Sequence, residues 1–281
     1  MIKYIINNIT TNVIIKQFKD GCMGVNINTG DDTPNPLVLK IGVYIQFGGE
    51  YSINDMTVAL GLTVDALQSK FPYAELALVM PYIPYARQDR ACSPGEAFSL
   101  RYVGKMINGM GFKTVLALDP HSAVASGCID RLYAVSQFKV FGEIKQSFRT
   151  TYIVAPDAGA MKKCEEFAKK VGAAGVIICA KKRNMQTMEI EGLRILDDIP
   201  PPGSDLLVFD DICDGGRSFI EVAKAIRERF PVIGNLDLAV SHGLFTYGVE
   251  CVAEHFDNVY TTNSYQHGNP YHPKLKVVDI W

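Results

Sequence analysis

The sequence predicts an α/β protein of two domains, each a mainly parallel sheet flanked by helices, and three observations carry that expectation. Short apolar runs that end at polar or acidic residues alternate with helical patterns, the sign of a parallel sheet covered by helices. Two of the intervening segments keep their apolar residues at helical spacing. The length, 281 residues, suits two domains of ordinary size better than one large one.

Residues 76–80, 114–118, 152–155, 176–179, 206–209 and 236–240 read as buried strands, because each is a short, continuous apolar run. In open α/β sheets the ligand crevice lies beyond the carboxyl ends of the strands, so residues that follow these runs can converge. After Asp157, residues Met161, Cys164, Phe167, Ala168 and Val171 share one helix face. After the acidic residues near 210, Phe219, Val222, Ala223 and Ile226 share another. The stretch 132–150 lacks strong polar punctuation and sits between two α/β patterns. The boundary is placed near residue 140, giving domains 1–140 and 141–281, with the last residues able to pack back on the first domain.

Composition narrows the function classes. Hydrophobic residues make up 48% and charged residues 21%, which describes a globular chain with ample core. A formal charge of −2 and the lack of like-charge runs argue against a nucleic-acid footprint. Seven cysteines, an odd number without Cys-x-x-Cys spacing, fit reduced thiols better than a disulfide frame or a zinc site. Cys164 and Cys179 fall in apolar patterns and are expected in the core. The start, M-I-K-Y-I-I-N-N, is too polar for a signal peptide, and no apolar run reaches membrane-spanning length, so a cytoplasmic location without membrane contact is expected.

Two motifs offer complementary chemistry. In V-F-D-D-I-C-D-G-G-R-S (208–218), the run 206–209 delivers Asp210 and Asp211 to a strand end, with Asp214 following. Gly215 and Gly216 let the backbone approach a ligand, and a helix starts near Ser218. Carboxylates accept hydrogen bonds from sugar hydroxyls, while helix-start N–H groups hold a phosphate. The alternative is that Asp214 merely caps the helix. Arg217 either adds a phosphate contact or points to solvent. In P-Y-A-R-Q-D-R (84–90), Arg87, Gln88 and Arg90 offer two guanidinium forks and an amide, which suit a polyphosphate. The alternative there is surface charge paired with Asp89. No Walker A sequence occurs, so nucleotide binding has to use this other apparatus.

His121, in L-D-P-H, and Asp157, in A-P-D-A-G, each follow a strand, and together suit a magnesium ion that also takes phosphate oxygens. Alternatively His121 is a hydrogen-bonded structural residue and Asp157 a helix cap. Lys181, Lys182 and Arg183 follow the run 176–179, as either a solvated basic turn or a charge-stabilising loop.

Together these residues resemble the ribose-phosphate diphosphokinase, or phosphoribosyl diphosphate (PRPP) synthetase, family. The likeness runs from about Phe18 to the C-terminal end. P-Y-A-R-Q-D-R is its specific element, whereas the acidic loop is shared with many phosphoribosyltransferases. The resemblance implies two phosphoribosyltransferase-like domains with a site between them, Mg2+ as cofactor, ATP and ribose 5-phosphate as substrates, PRPP and AMP as products, and a homo-oligomer built on dimers, as far as a hexamer. It assigns ATP contacts to Phe18, Asp20, Arg87, Gln88, Arg90 and His121, with the Phe18 segment reaching adenine across a subunit interface. It assigns ribose 5-phosphate contacts to Asp210, Asp211, Asp214, Gly215, Gly216, Arg217 and Ser218, magnesium ligation to His121 and Asp157, and catalysis to Lys181 and Arg183 on a mobile loop.

The chain departs from the family pattern at several places. Cys22 stands for a Glu, Ala160 for the second of two glycines, and Ala180 and Asn184 for an acid and a Pro around Lys181 and Arg183. Gly215–Ser218 replaces a Thr, small residues and a second Thr. The chain stops at K-V-V-D-I-W, where many relatives continue into a further helix. Asn54-Asp55 and the runs 241–245 and 261–264 match as structural or interface positions. Two other readings stay open: a catalytically silent, PRPP-synthetase-like regulatory subunit, and a phosphoribosyltransferase that consumes PRPP.

Overall fold

The computed structural model describes residues 1–28, 40–183, 190–195, 200–266 and 272–280, and of 180–183 and 190–195 only the backbone. The chain forms two compact units that divide between Val135 and Ser136, a few residues before the expected boundary, and Ser264, Tyr265 and Gln266 return to the first.

The first unit runs β1 (Ile2–Ile6), β2 (Ile9–Gln17), β3 (Met23–Ile27), β4 (Lys40–Ile45), β5 (Phe47–Gly48), α1 (Ile53–Lys70), β6 (Glu75–Val79), α2 (Ser99–Gly109), β7 (Thr114–Leu118), α3 (Val124–Cys128) and β8 (Leu132–Val135). Its sheet has the order β3-β2-β1-β4-β6-β7-β8. The strands β4, β6, β7 and β8 are parallel, while β1, β2 and β3 join as an antiparallel meander. Sequence reading missed that meander, because T-T-N-V-I-I-K-Q alternates poorly and much of β2 is exposed. Helix α1 starts in a capping box, with Ser52 Oγ accepting from the Asp55 N–H and Asp55 accepting from the Ser52 N–H. It buries Met56, Ala59, Leu60, Thr63, Val64 and Leu67, spaced three and four apart as one helix face requires.

The second unit holds α4 (Phe138–Phe141), β9 (Thr151–Ala155), α5 (Met161–Val171), β10 (Gly175–Arg183), β11 (Ile190–Ile195), β12 (Asp205–Cys213), α6 (Arg217–Arg229), β13 (Leu236–Gly243), α7 (Glu250–Ala253), β14 (Val259–Thr262) and β16 (Leu275–Val278), while β15 (Tyr265–Gln266) pairs with β5 in the first unit. The sheet order is β11-β10-β9-β12-β13-β14-β16, parallel except for β11.

The pleat of β12 sorts two cores. Leu206 and Val208 join Phe219, Val222, Ala223 and Ile226 of α6 on one face. Leu207 and Phe209 join Cys164, Phe167 and Ala168 of α5 on the other, with Phe167 and Phe209 stacked 4.0 Å apart. The expected faces of both helices are therefore the buried ones, except that Met161 is exposed. All seven cysteines are unbridged, and Cys164 and Cys179 are buried as expected. At the amino ends of β12 and β13, Lys145 Nζ lies 3.3 Å from Asp205 Oδ2 and 3.4 Å from Asp237 Oδ2. No helix among the described residues is long and apolar enough to cross a membrane.

Candidate functional site

In the first unit β4, β6 and β7 run parallel, so their carboxyl ends share one sheet edge. The chain leaving β6 is tied to β7 by Met80 N–H to Leu116 O at 2.8 Å and Leu118 N–H to Pro81 O at 3.0 Å. It then bends at Tyr85, a non-glycine residue at φ 60°, whose hydroxyl donates to Asn54 Oδ1. The Gln88 N–H donates to Tyr85 O and the Gln88 carbonyl accepts from the Leu100 N–H at the start of α2. Backbone bonds thus hold the turn while the side chains of Arg87, Gln88 and Arg90 stay exposed. Asp89 is buried, and Arg90 Nε donates to its Oδ1 at 3.2 Å, so one fork is partly committed to the pairing weighed as the alternative. Just after the neighbouring strand β7, Asp119 at φ 40° turns the chain, and His121 is exposed.

Phe18 leaves β2, which runs in the same direction as β4 because both pair antiparallel with β1. It therefore emerges at the same edge, but three strands from β6, roughly 14 Å at ordinary strand spacing. The turn is closed by Phe18 N–H to Cys22 O and Gly21 N–H to Phe18 O, at 2.8 and 2.9 Å. Asp20 Oδ1 accepts the Cys22 N–H at 3.0 Å, which holds the Asp20 carboxyl below its usual range. Phe18 is 48% exposed, its ring 5.0 Å from the Lys16 ammonium.

In the second unit the carboxyl ends of β10, β9, β12 and β13 lie side by side. Asp157 follows β9, and its Oδ1 accepts the Gly159 and Ala160 N–H groups at 2.9 and 3.2 Å, so it does shape the turn into α5. The next two motifs differ from expectation in the same way. The strand β10 does not stop at Cys179 but continues through Lys181 and Arg183, paired with β11. Their side chains lie outside the described residues. The strand β12 likewise continues to Cys213, so Asp210 and Asp211 stand inside a strand, where Asp210 pairs with Val240 and Ile212 with His242.

Alternation assigns Asp211 to the α5 face, and Lys163 of α5 stands there, Nζ 3.8 Å from Asp211 Oδ1. The Asp211 N–H donates to Asp210 Oδ1 at 2.9 Å. Burial, reinforced by the adjacent Asp211 charge, pushes the Asp210 carboxyl well above the usual carboxylate range. Asp214 does not cap α6. Its Oδ1 accepts from Thr246 Oγ1 at 2.9 Å, and the residue at the cap is Gly216, at φ 79°. A Cβ there would lie 2.3 Å from Val252 Cγ2, so both conformation and space require glycine. No side chain caps α6 among the described residues, which leaves its first N–H groups for a ligand or water. The Arg217 side chain is 91% exposed, and its Nε lies 3.1 Å from Glu221 Oε1 one turn on. Ser218 is exposed at the helix start.

Sequence reasoning missed Lys163 and Thr246. Lys163 carries a weak signal, in the first turn of the helix that follows Asp157. Thr246 follows Asp214 by 32 residues and meets it only because β12 and β13 pair. The runs 241–245 and 261–264 are joined to each other: Gly243 N–H donates to Thr261 Oγ1 at 2.8 Å and Thr262 Oγ1 to Ser241 O at 2.6 Å.

Residues 2–111 match the N-terminal domain of ribose phosphate pyrophosphokinase. The ribose-phosphate pyrophosphokinase of Ureaplasma parvum is 31% identical over 199 residues, 69% of this chain and 58% of that protein. That of Brucella melitensis is 29% identical over 212 residues, 73% of this chain and 66% of that protein. That of Aquifex aeolicus is 27% identical over 241 residues, 84% and 73% of the two. The match thus spans under two thirds of the Ureaplasma and Brucella proteins. The fold is similar to the crystal structure of phosphoribosylpyrophosphate synthetase from Mycobacterium smegmatis, at TM-score 0.76 and 19% identity over 96% of this chain and 86% of that one.

Proposed function

We infer the activity of this chain from the family to which it belongs, the ribose-phosphate pyrophosphokinases: it transfers the diphosphoryl group of ATP to the anomeric hydroxyl of ribose 5-phosphate. The observation that carries the reading is the turn from β12 to α6, where the buried Asp211 and the half-buried Asp210 and Asp214 stand beside a helix start that no side chain caps among the described residues. Asp210 and Asp211 accept hydrogen bonds from vicinal ribose hydroxyls. The N–H groups of 215–218 and the Ser218 hydroxyl hold the 5-phosphate, to which the helix dipole adds about 0.3–1 kcal/mol. Arg217 contributes its N–H rather than its guanidinium, which is paired with Glu221.

The first unit serves the nucleotide. Arg87 and Gln88 face its phosphates, with Arg90 and His121 at the same sheet edge. Phe18 and Asp20 stand three strands away, which favours their serving the adenine of a partner copy and so a homo-oligomer built on dimers. Mg2+ fits the donors present. It keeps several waters and is held by one or two protein groups plus substrate phosphates. No trio of candidate ligands exists among the described residues, whereas Asp157 and His121 offer ligands one at a time. When bound, the ion neutralises charge on the phosphate oxygens.

In the transfer, the 1-hydroxyl oxygen bonds to the β-phosphorus, the bond from that phosphorus to the α-bridging oxygen breaks, AMP leaves and the hydroxyl gives up its proton. Lys181 and Arg183, at the carboxyl end of β10, stabilise the charge that develops on the transferring group. Incubation with Mg2+, ATP and ribose 5-phosphate, following AMP and PRPP together, tests the reading. Stoichiometric formation of both is expected, with Lys181→Ala lowering kcat by about 10²–10³-fold and leaving ribose 5-phosphate binding nearly unchanged. Mg–ATP binding without AMP overturns it in favour of a silent regulatory subunit. PRPP consumption with an added base overturns it in favour of a transferase.

A further inference from the structure

Resting on the sugar-phosphate reading of the β12–α6 turn, we propose that Tyr247 is a positioning residue of that turn, and that Tyr247 and Gly215 act as one linked pair that sets its shape. The segment after β13 braces the turn along its length. The Leu244 and Phe245 N–H groups donate to Cys213 O at 2.7 and 3.2 Å, the Thr246 N–H to Asp214 O at 3.2 Å, and Thr246 Oγ1 to Asp214 Oδ1 at 2.9 Å. Tyr247 comes next, its own carbonyl accepting from Cys251 Sγ at 3.2 Å. Its ring occupies the space that any side chain at 215 needs: a Cβ on Gly215 would lie 2.8 Å from Cε2 and 2.9 Å from Cδ2.

Core packing does not account for this ring, because Tyr247 is 79% exposed. Its place against the glycine has a function if the turn must be held before the phosphate arrives, since ordering a loose turn on binding subtracts from affinity. Thr246 holds the carboxylate end of the turn and Tyr247 the glycine end. The two glycines differ accordingly. At Gly216 the obstacle is the buried Val252 and the φ is positive, so no neighbour can yield. At Gly215 the obstacle is the far end of an exposed side chain, which can swing into water. A methyl at 215 therefore unseats the ring, and changes at either position break the same contact. The Thr-to-Gly departure at 215 and the tyrosine at 247 are one feature of this chain.

The test uses the full chain and its Tyr247→Ala, Tyr247→Phe, Gly215→Ala and Gly215→Ala/Tyr247→Ala variants. It measures ribose 5-phosphate binding by calorimetry, the KM for Mg–ATP, the thermal midpoint, and hydrogen exchange of the 213–218 amides without ligand. Tyr247→Ala and Gly215→Ala are each expected to weaken ribose 5-phosphate by about tenfold, and the double variant no more than the worse single one. Tyr247→Phe keeps the ring seated and stays near wild type. The KM for Mg–ATP and the midpoint hold, while the turn amides exchange faster in the Ala variants. Additive losses, unchanged sugar-phosphate binding in Tyr247→Ala, or equal damage from Tyr247→Phe overturn the pairing. If wild type binds no ribose 5-phosphate, the sugar-phosphate reading fails separately. Amide exchange then decides: faster exchange in Tyr247→Ala supports the pairing, and unchanged exchange overturns it.

Discussion

The two ends of β12 treat aspartates in opposite ways. At the amino end, Asp205 and Asp237 share the Lys145 ammonium, and their remaining oxygens accept from the Asn235 N–H at 2.8 Å and from Asn258 Nδ2 at 2.9 Å. At the carboxyl end, Asp210 and Asp211 stand side by side with Lys163 3.8 Å away, and Asp210 is held well above the usual carboxylate range. At the amino ends of β12 and β13 the aspartates share a close ammonium and accept further hydrogen bonds, whereas at the carboxyl end of β12 two adjacent aspartates lie beside the longer contact to Lys163. The difference teaches where the second unit spends its stability and where it withholds it.

The comparison breaks most readily at the amino end. Lys145→Ala leaves the buried Asp237 carboxylate without its cation, and a loss of about 3 kcal/mol is expected, read as a lower urea midpoint at unchanged slope. Ribose 5-phosphate binding by the folded fraction should hold. A loss of stability under about 0.5 kcal/mol would place Lys145 among ordinary surface pairs.

At the carboxyl end the expected sign reverses. Because the folded-state pKa of Asp210 stands above its unfolded value, the folded chain holds the extra proton between the two. Its stability is greatest below the unfolded pKa and falls as pH rises through the folded one. Asp210→Asn removes that penalty and should raise the urea midpoint at neutral pH while weakening ribose 5-phosphate by about tenfold. In wild type, sugar-phosphate binding should weaken on acidification at a pH above the ordinary carboxylate range. A midpoint lowered by Asp210→Asn would contradict the assignment.

The smallest effect belongs to Arg217. Its exposed pairing with Glu221 is worth about 0.3–0.5 kcal/mol at most, so Arg217→Ala should change neither the midpoint nor ribose 5-phosphate binding appreciably. A large loss of binding, read by calorimetry, would return the guanidinium to the phosphate.

Legibility followed locality. The faces of α5 and α6 were readable because each buries a stripe that repeats along its own chain. The end of β12 was misplaced because an apolar-run reading stops at the first acid, whereas ladder partners on β13 carry the strand to Cys213. The strand β10 was cut short at Cys179 for the same reason, its pairing with β11 carrying it to Arg183. The meander of β1, β2 and β3 escaped because half-exposed edge strands show no run. The acidic turn and P-Y-A-R-Q-D-R were visible as contiguous residues, and the pairing with Asp89 and the turn role of Asp157 were legible as alternatives, but the pairing of Arg217 with Glu221 was not.

By itself, the sequence determined the α/β class, most of the buried strands and the resemblance to the ribose-phosphate pyrophosphokinases, because these depend on contiguous residues and short periods. Only the tertiary structure decided that Lys145 neutralises Asp205 and Asp237, that Thr246 holds Asp214, and that Tyr247 fills the space above Gly215. Those contacts join residues far apart in the chain, 60 positions in the case of Lys145 and Asp205. Strand pairing sets which such residues meet, and that depends on the closing of the whole sheet rather than on any local pattern.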